Sequence, residues 1–155
     1  AHALNMPRRL PLTLFDLDHT LLDGDSDVLW CDFLMNEGVL ARNEFEPRNR
    51  RMERDYSAGS VSPQAFCEFY LSTLTSIDDA TLRDLRERYL AQRIRPQILP
   101  AARELVARHR AEGHLCVITT AVIRFLSQSI AAEFGVTRPT IYRHLAGLPA
   151  AALTP

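Results

Sequence analysis

Two aspartates, Asp16 and Asp18, follow an apolar, β-prone segment that begins near Leu12, and Thr20 comes two residues later. Because alternate residues of a strand point to the same side, both carboxylates start on one face at the end of a buried strand. Carboxylates held together in such a place repel each other and are costly to desolvate. The spacing therefore indicates a site that holds a cation, a proton or a reacting group.

Phosphoryl transfer is the chemistry that suits this pair best. One carboxylate can attack phosphorus to form an aspartyl-phosphate, and the other can protonate the leaving oxygen and later activate water. A divalent metal ion between them would offset their repulsion and the charge of phosphate. Helix caps and turns also use Asp and Thr, but they do not explain the preceding strand. An EF-hand loop read from Asp16 or Asp23 has Leu21 or Val28 where glycine is required.

Residues 14–24, with Asp16, Asp18 and Thr20 inside them, resemble the first motif of the haloacid dehalogenase superfamily. The continuation through residues 25–27 is similar to the phosphoserine-phosphatase-like branch, which carries a helical cap. The resemblance implies that Asp16 is the nucleophile and Asp18 the general acid/base. It also implies Mg²⁺ as the cofactor, bound at Asp16 and at Asp18, the latter through its backbone carbonyl.

Three further residues gain roles from the resemblance. Thr120 matches the residue that hydrogen-bonds the transferring phosphoryl group, and Thr119 is the alternative, because the strand register is open by one residue. An ordinary helix N-cap is the other interpretation of this threonine. Asp25 stands where an acidic residue contacts the substrate's amino group, or else it caps the helix that starts at Ser26. No arginine lies between Arg54 and Arg83, which counts against phosphoserine and favours another small phosphorylated metabolite.

The order of the strands and helices that must position these residues indicates an α/β fold. We predict a doubly wound parallel sheet with an inserted helical bundle. Ligands of such folds bind at the carboxyl ends of the strands. We predict core segments at 1–22 and 98–137, a helical cap at 23–97 and a divergent tail at 138–155. The predicted elements are strand Leu10 to Phe15, four cap helices, helix Leu99 to Arg110 with Leu99 facing inward, strand His114 to Ile118, and a helix closed by Gly135.

The sequence departs from the family pattern in two places. All 18 basic residues are arginine, so the lysine of the family's third motif is absent. No Asp or Glu follows Glu133, so the acidic fourth motif, which completes the magnesium site, is absent too. The alternative to an active phosphatase is therefore a catalytically inactive remnant, truncated, frameshifted or cut from a longer protein.

Bulk properties restrict the partners. The net charge is −1 and the sequence pI about 6.6, so no general attraction to nucleic acid is expected. No apolar segment approaches the roughly 20 residues that span a bilayer, and no signal peptide is recognisable. Cys31, Cys67 and Cys116 form no C-x-x-C pair and are expected to be buried thiols of a cytoplasmic protein.

Two further expectations concern histidines and assembly. The five histidines show no metal-ligand spacing. In the family, later strands lie on the far side of the strand that bears the nucleophile, and they would fall in the divergent tail. The strand Leu10 to Phe15 is therefore expected to form an exposed sheet edge through which the chain associates with itself.

Overall fold

The computed structural model describes residues 10–136 and 141–142, and the divergent tail predicted for 138–155 otherwise lies outside them. Within these residues the chain forms an α/β fold with a parallel sheet, as predicted. The elements in chain order are β1 (Leu12–Asp16), α1 (Ser26–Asn36), α2 (Arg42–Ser57), α3 (Pro63–Leu71), α4 (Asp79–Tyr89), α5 (Pro100–Ala111), β2 (Leu115–Thr120), α6 (Arg124–Glu133) and β3 (Ile141–Tyr142).

The three strands lie side by side in the order β1-β2-β3. The register places Asp16 beside Thr119, so the carboxyl ends of β1 and β2 coincide. Strand β1 begins two residues later than predicted, after Pro11, which has no N–H to give to the ladder. Strand β2 continues through Thr120 instead of ending at Ile118, because β-branched threonines fit a pleated sheet.

Four helices, α1 to α4, lie between β1 and α5 along the chain, in the segment where the sequence predicts a helical insertion. The starts of α3 and α4 follow capping rules. Ser62 and Asp78 accept hydrogen bonds from the first-turn N–H groups of α3 and α4, and Pro63 occupies the first position of α3. Side-chain capping thus explains why the chain turns into helix at these residues.

The ends of this helical insertion lie next to each other. Leu22 and Ile98 form an antiparallel bridge. The N–H of Asp23 donates to the carbonyl of Gln97 at 2.8 Å, and that of Leu99 donates to the carbonyl of Leu21 at 3.4 Å. We call this contact between the outgoing and returning chain the neck. The domain boundaries at 22/23 and 97/98 remain predictions.

A buried aromatic contact joins α1 to α4 within the insertion. Trp30 of α1 is fully buried and meets the ring of Tyr89 edge-on, with centroids 5.1 Å apart. The Tyr89 hydroxyl donates to the carbonyl of Ser26 at 2.6 Å. Burial of such rings contributes much of the core's apolar area. Through the Tyr89 hydroxyl, this contact holds Ser26 at the start of α1 in place. In the sequence, Ser26 follows the predicted catalytic loop.

Two packing predictions have mixed outcomes. Leu99 is 39% exposed rather than inward-facing, because it precedes α5 as its N-cap residue. Cys31 and Cys116 are buried as predicted, whereas Cys67 is only partly buried. No helix in the described ranges is long and apolar enough to cross a membrane.

Candidate active site

A cavity of about 510 Å³ opens at the carboxyl ends of β1 and β2. It brings together the predicted site residues Asp16, Asp18, Asp25 and Thr120, but Thr119 is not in its lining. Parallel α/β sheets bind ligands at this edge. The remaining lining residues come from the loop after β1, from α1 to α3 and from the loop after β2: His19, Asp27, Val28, Glu53, Tyr56, Ser57, Phe66, Tyr70, Ala121 and Val122.

The loop after β1 is held by its own backbone. The carbonyl of buried Leu17 accepts hydrogen bonds from the N–H groups of Leu21 and Leu22, at 2.9 and 3.1 Å. His19 adopts a left-handed conformation with φ of 54°, an unfavourable choice for a non-glycine residue that the surrounding structure must impose. The Thr20 hydroxyl donates to Asp16 Oδ2 at 3.1 Å. This tight turn orients the Asp16 carboxylate at the end of β1.

Asp18 combines two opposing influences on its protonation. Burial has the largest effect and raises the pKa of the Asp18 carboxyl group from 3.8 to about 6. The negative charge of Asp25 also raises this pKa, and that of Asp16 does so to a smaller extent. Hydrogen bonds from Ser26 oppose this rise, because they stabilise the carboxylate. A carboxyl group with a pKa near 6 exchanges its proton close to neutral pH, as a general acid/base must.

Asp25 is the N-cap of α1, since its Oδ1 accepts the N–H of Val28 at 2.9 Å. This confirms one of the two interpretations offered for it. Because Asp25 also lines the cavity, the capping role leaves the substrate contact open as a prediction.

Asp27 is the least expected member of the site. Its side chain is only 3% exposed, and burial raises its pKa well above 3.8, with the charges of Asp25 and Asp18 adding to the effect. The backbone N–H of Ile123 bonds to the carboxyl group, but Oδ1 has no hydrogen-bond partner within the described part of the chain. The sequence assigned Asp27 no role in the site beyond its place in the family resemblance of residues 25–27, although a carboxylate at the start of a buried helix was a visible signal.

The two threonines of β2 have different surroundings. Thr120 is 2% exposed, and its hydroxyl accepts the N–H of Val122 at 3.1 Å, which shapes the turn that leads into α6. Helix α6 begins later, with Ile123 as its N-cap residue, so Thr120 does not cap it directly. The Thr119 hydroxyl donates to the carbonyl of Phe15 at 3.4 Å. Only Thr120 therefore faces the cavity, and the phosphate contact predicted for it remains a prediction.

Helices α2 and α3 supply a wall that the sequence did not predict. Tyr56 and Phe66 stack with centroids 4.0 Å apart, and the Tyr70 hydroxyl donates to Asn49 Oδ1 at 3.2 Å. Glu53 adds a fifth carboxyl group to the lining. Arginine is absent from the described lining residues, so the cavity is acidic and partly aromatic. Helical periodicity alone did not reveal which face of α2 would turn towards the loop of Asp16.

This donor set fits a hard divalent cation. Magnesium prefers carboxylate and carbonyl oxygens together with water. Asp16 and Asp18 are the residues that would hold it, and Asp25 lies in the same cavity. The excess of carboxyl groups over basic groups in the lining also calls for positive charge from a bound species.

The fold and this cavity define a haloacid dehalogenase-like hydrolase. The model of that family matches residues 13–147, most of the chain, and the chain belongs to the family. The match ends at residue 147, so the prediction that the chain diverges from the family from residue 138 is wrong for residues 138–147.

Two relatives share its pattern over most of its length. The chain is 32% identical over 126 residues to a histidinol-phosphatase of Neisseria meningitidis serogroup C (strain 8013). This alignment covers 81% of this chain and 57% of that protein. A crystal structure of a protein with unknown function from Bordetella pertussis Tohama I superposes with a TM-score of 0.77 at 37% identity. That alignment covers 82% of this chain and 57% of the other. The chain thus spans little more than half the length of each relative.

Two of the histidines lie close together in space. His109 and His114 show no metal-ligand spacing along the sequence, yet their Nδ1 atoms lie 2.9 Å apart and Glu112 is beside both rings. The turn after α5 reverses the chain, so residues five apart in sequence become neighbours. This cluster is far from Asp16, at the opposite ends of the strands.

Proposed function

We propose that the protein is a magnesium-dependent phosphomonoester hydrolase that acts through an aspartyl-phosphate on a small phosphorylated metabolite. The observation that carries the proposal is the convergence of Asp16, Asp18 and Thr120 on one cavity at the carboxyl ends of β1 and β2. Family membership and the histidinol-phosphatase relative support phosphate-ester hydrolysis as the reaction. The free cysteines, of which Cys31 and Cys116 are buried, support a cytoplasmic location.

The two aspartates divide the chemistry. The Asp16 carboxylate attacks phosphorus, and the ester oxygen leaves with a proton from Asp18. Asp18, now a carboxylate, takes a proton from water as the water attacks the aspartyl-phosphate, which restores Asp16 and releases phosphate. The raised pKa of Asp18, about 6, matches both steps because the group can carry the proton and give it up near neutral pH.

Thr120 is suited to bind a phosphoryl oxygen, because its hydroxyl hydrogen is free to point into the cavity while its oxygen accepts the N–H of Val122. When bound, magnesium would supply positive charge to offset the phosphate and the aspartates. The residues that would hold it are Asp16 and Asp18.

The cavity lining favours a substrate whose organic part is cationic. Asp25 and Glu53 add negative charge beyond the catalytic pair, and Tyr56 and Phe66 offer aromatic surface to an amine or imidazole group. Histidinol phosphate carries both an amine and an imidazole ring, so the name of the Neisseria relative agrees with this chemistry. No basic residue apart from His19 lines the described cavity, which disfavours substrates that carry a carboxylate.

The experiment is a phosphate-release screen with magnesium on paired esters. Histidinol phosphate is compared with an alkyl phosphate, whose organic part carries no charge, and with phosphoserine. We expect turnover of the amine-bearing ester at the lowest KM. Glu53→Gln should raise that KM while kcat and the KM of the alkyl phosphate stay unchanged. Glu44→Gln, an exposed acid on the same helix, is the matched control.

A second candidate is an inactive remnant of such an enzyme, which the complete lack of lysine favours. Arginine is a poor substitute for the compact ammonium group that pairs with the nucleophile in this family. The same screen decides between the two candidates. If the chain releases no more phosphate than Asp16→Asn from every ester with magnesium present, the remnant is correct and the hydrolase proposal fails for this chain.

A further inference from the structure

The end of helix α5 brings two histidines and a glutamate together. Gly113, with φ of 78°, turns the chain back on the helix. Its N–H donates to the carbonyl of Arg110, and the N–H of His114 donates to the carbonyl of His109, both at 3.0 Å. This pair of hydrogen bonds is the Schellman ending, in which the residue after glycine lies against the residue five positions earlier. An apolar contact is usual at these two positions, and here both are histidines.

The ring nitrogens and a carboxylate oxygen converge at this turn. Glu112 Oε2 lies 3.8 Å from His109 Nδ1 and 3.6 Å from His114 Nε2. Ligand atoms of a tetrahedral zinc ion, at about 2.0–2.1 Å from the metal, are roughly 3.3 Å from one another. The observed separations are close to that value. Both rings are half-buried and Glu112 is exposed, so an ion can enter from solvent and keep water on its open side.

A neighbouring strand orients one of the rings. The hydroxyl of Thr13, in β1, lies 3.0 Å from His114 Nδ1. Metal-binding histidines commonly donate their second N–H to such an oxygen, which fixes the tautomer and leaves the other nitrogen to the metal. With the metal bound, His114 Nδ1–H would donate to Thr13 rather than to His109 Nδ1, which lies 2.9 Å away, and Nε2 would face Glu112. Arg110, the residue after His109, donates to the carbonyl of Phe134 at 3.4 Å, so its charge is engaged with the end of α6.

We propose that His109 Nδ1, Glu112 Oε2 and His114 Nε2 form a site for a zinc-type divalent transition metal. Two imidazoles and one carboxylate suit zinc and its neighbours, whereas magnesium prefers oxygen ligands alone. The site lies at the amino ends of β1 and β2, and Asp16 is about 13 Å away along β1 by strand rise. The ion therefore takes no part in phosphate chemistry. It clamps the end of α5 to β2, and through Thr13 to β1.

The test uses the full chain without a polyhistidine tag, stripped with EDTA and titrated with Zn²⁺ against a chromogenic chelator. The background is Asp16→Asn/Asp18→Asn, which removes zinc binding at the phosphatase site. We expect one equivalent of zinc to bind in this background, and the melting temperature to rise with zinc. Adding Glu112→Gln or His109→Gln should weaken binding about tenfold or more, since even loss of an outer-shell partner costs about that much.

Two controls keep the result interpretable. Glu112 is exposed, so Glu112→Gln should melt at the parental temperature in EDTA, and Glu104→Gln, exposed on the same helix, should bind zinc like the parent. Absence of zinc binding in the Asp16→Asn/Asp18→Asn background overturns the proposal. Binding that survives both Glu112→Gln and His109→Gln unchanged overturns it as well, because the ion would then be held elsewhere.

Discussion

The Asp18 carboxylate accepts two hydrogen bonds from Ser26, one from its backbone N–H at 2.9 Å and one from its hydroxyl at 2.8 Å. Ser26 is fully buried and is the first residue of α1. The general acid proposed for the reaction is thus fixed by the first turn of the inserted helices, although it belongs to the loop after β1. Its position and its pKa both depend on that contact.

Ser26→Ala should raise the pKa of Asp18 further, because one of the hydrogen bonds that stabilise the carboxylate is lost while burial is unchanged. Carbon-detected NMR titration of the aspartate carboxyl groups measures the shift directly. Ser72→Ala, which removes an exposed hydroxyl remote from Asp18, serves as the control. An Asp18 pKa that stays at about 6 or falls would show that the hydroxyl contact has no electrostatic effect.

Asp18→Asn should stabilise the metal-free protein above pH 6. The folded-state pKa of Asp18 is raised from 3.8 to about 6, so its contribution to stability is fully present below pH 3.8 and is lost as pH rises to about 6. The amide keeps an acceptor for Ser26 but carries no charge. The gain should be on the order of 2–3 kcal/mol at pH 7–8 and should vanish near pH 4. Thermal unfolding in EDTA across this range gives the answer, and a gain that does not vary with pH contradicts the assignment.

Asp16→Asn should abolish any phosphatase activity, because an amide cannot form the acyl-phosphate. Asp23→Asn is the matched control, since Asp23 is an exposed carboxylate of the same loop outside the cavity lining. Phosphate release with magnesium is the measurement. Full turnover by the Asp16 variant would remove it from the role of nucleophile.

Magnesium should bind this chain weakly, in the millimolar range, because no carboxylate follows Glu133 to complete the coordination shell. Isothermal titration of the chain with magnesium checks this expectation. Micromolar affinity would contradict it and would point to Asp25 or Asp27 as a further ligand. Repeating the titration on the Asp25→Asn variant shows which of these two carboxylates is the further ligand.

The chain should self-associate through the face and edge of β1. Leu12 and Leu14 are 57% and 54% exposed, and within the described residues β1 pairs with β2 alone. Exposed apolar edge strands favour pairing with another chain. Light scattering should show dimers or larger species at high concentration, and Leu12→Glu/Leu14→Glu should shift them towards monomer. A wild-type monomer with cooperative unfolding would defeat the prediction.

The residues around Asp16 show what the sequence can predict. The apolar run of β1 and the D-x-D spacing correctly placed Asp16 at the end of a strand, whereas Asp18 lies in the turn that follows β1 rather than on the strand itself. The same reasoning found Thr120 only to within one residue, since the end of a strand depends on pairing rather than on pattern. The spacing and its strand context favoured phosphoryl transfer, and the family resemblance assigned the roles of the individual residues.

The cavity wall and the histidine cluster show where sequence reasoning fails. Glu53 and Tyr56 reach the cavity only because of how α2 packs against the rest of the chain, and helical periodicity does not specify that angle. His109 and His114 are five residues apart, which is no standard metal-ligand spacing, but a glycine turn makes them neighbours. The sequence Glu112-Gly113 correctly predicted the end of α5, yet the side-chain consequence of that ending went unnoticed.

The neck has a consequence for how the molecule can change over evolutionary time. Leu22 and Ile98 lie side by side, so residues 23–97 begin and end at neighbouring positions. For the rest of the fold, this insertion is equivalent to a short turn. Replacing these helices with another set would move neither the end of β1 nor the start of α5. A longer insertion would add little loop-closure entropy. The chain can therefore acquire a new specificity wall as a single block, provided that the first turn of α1 is kept, because Ser26 holds the Asp18 carboxylate.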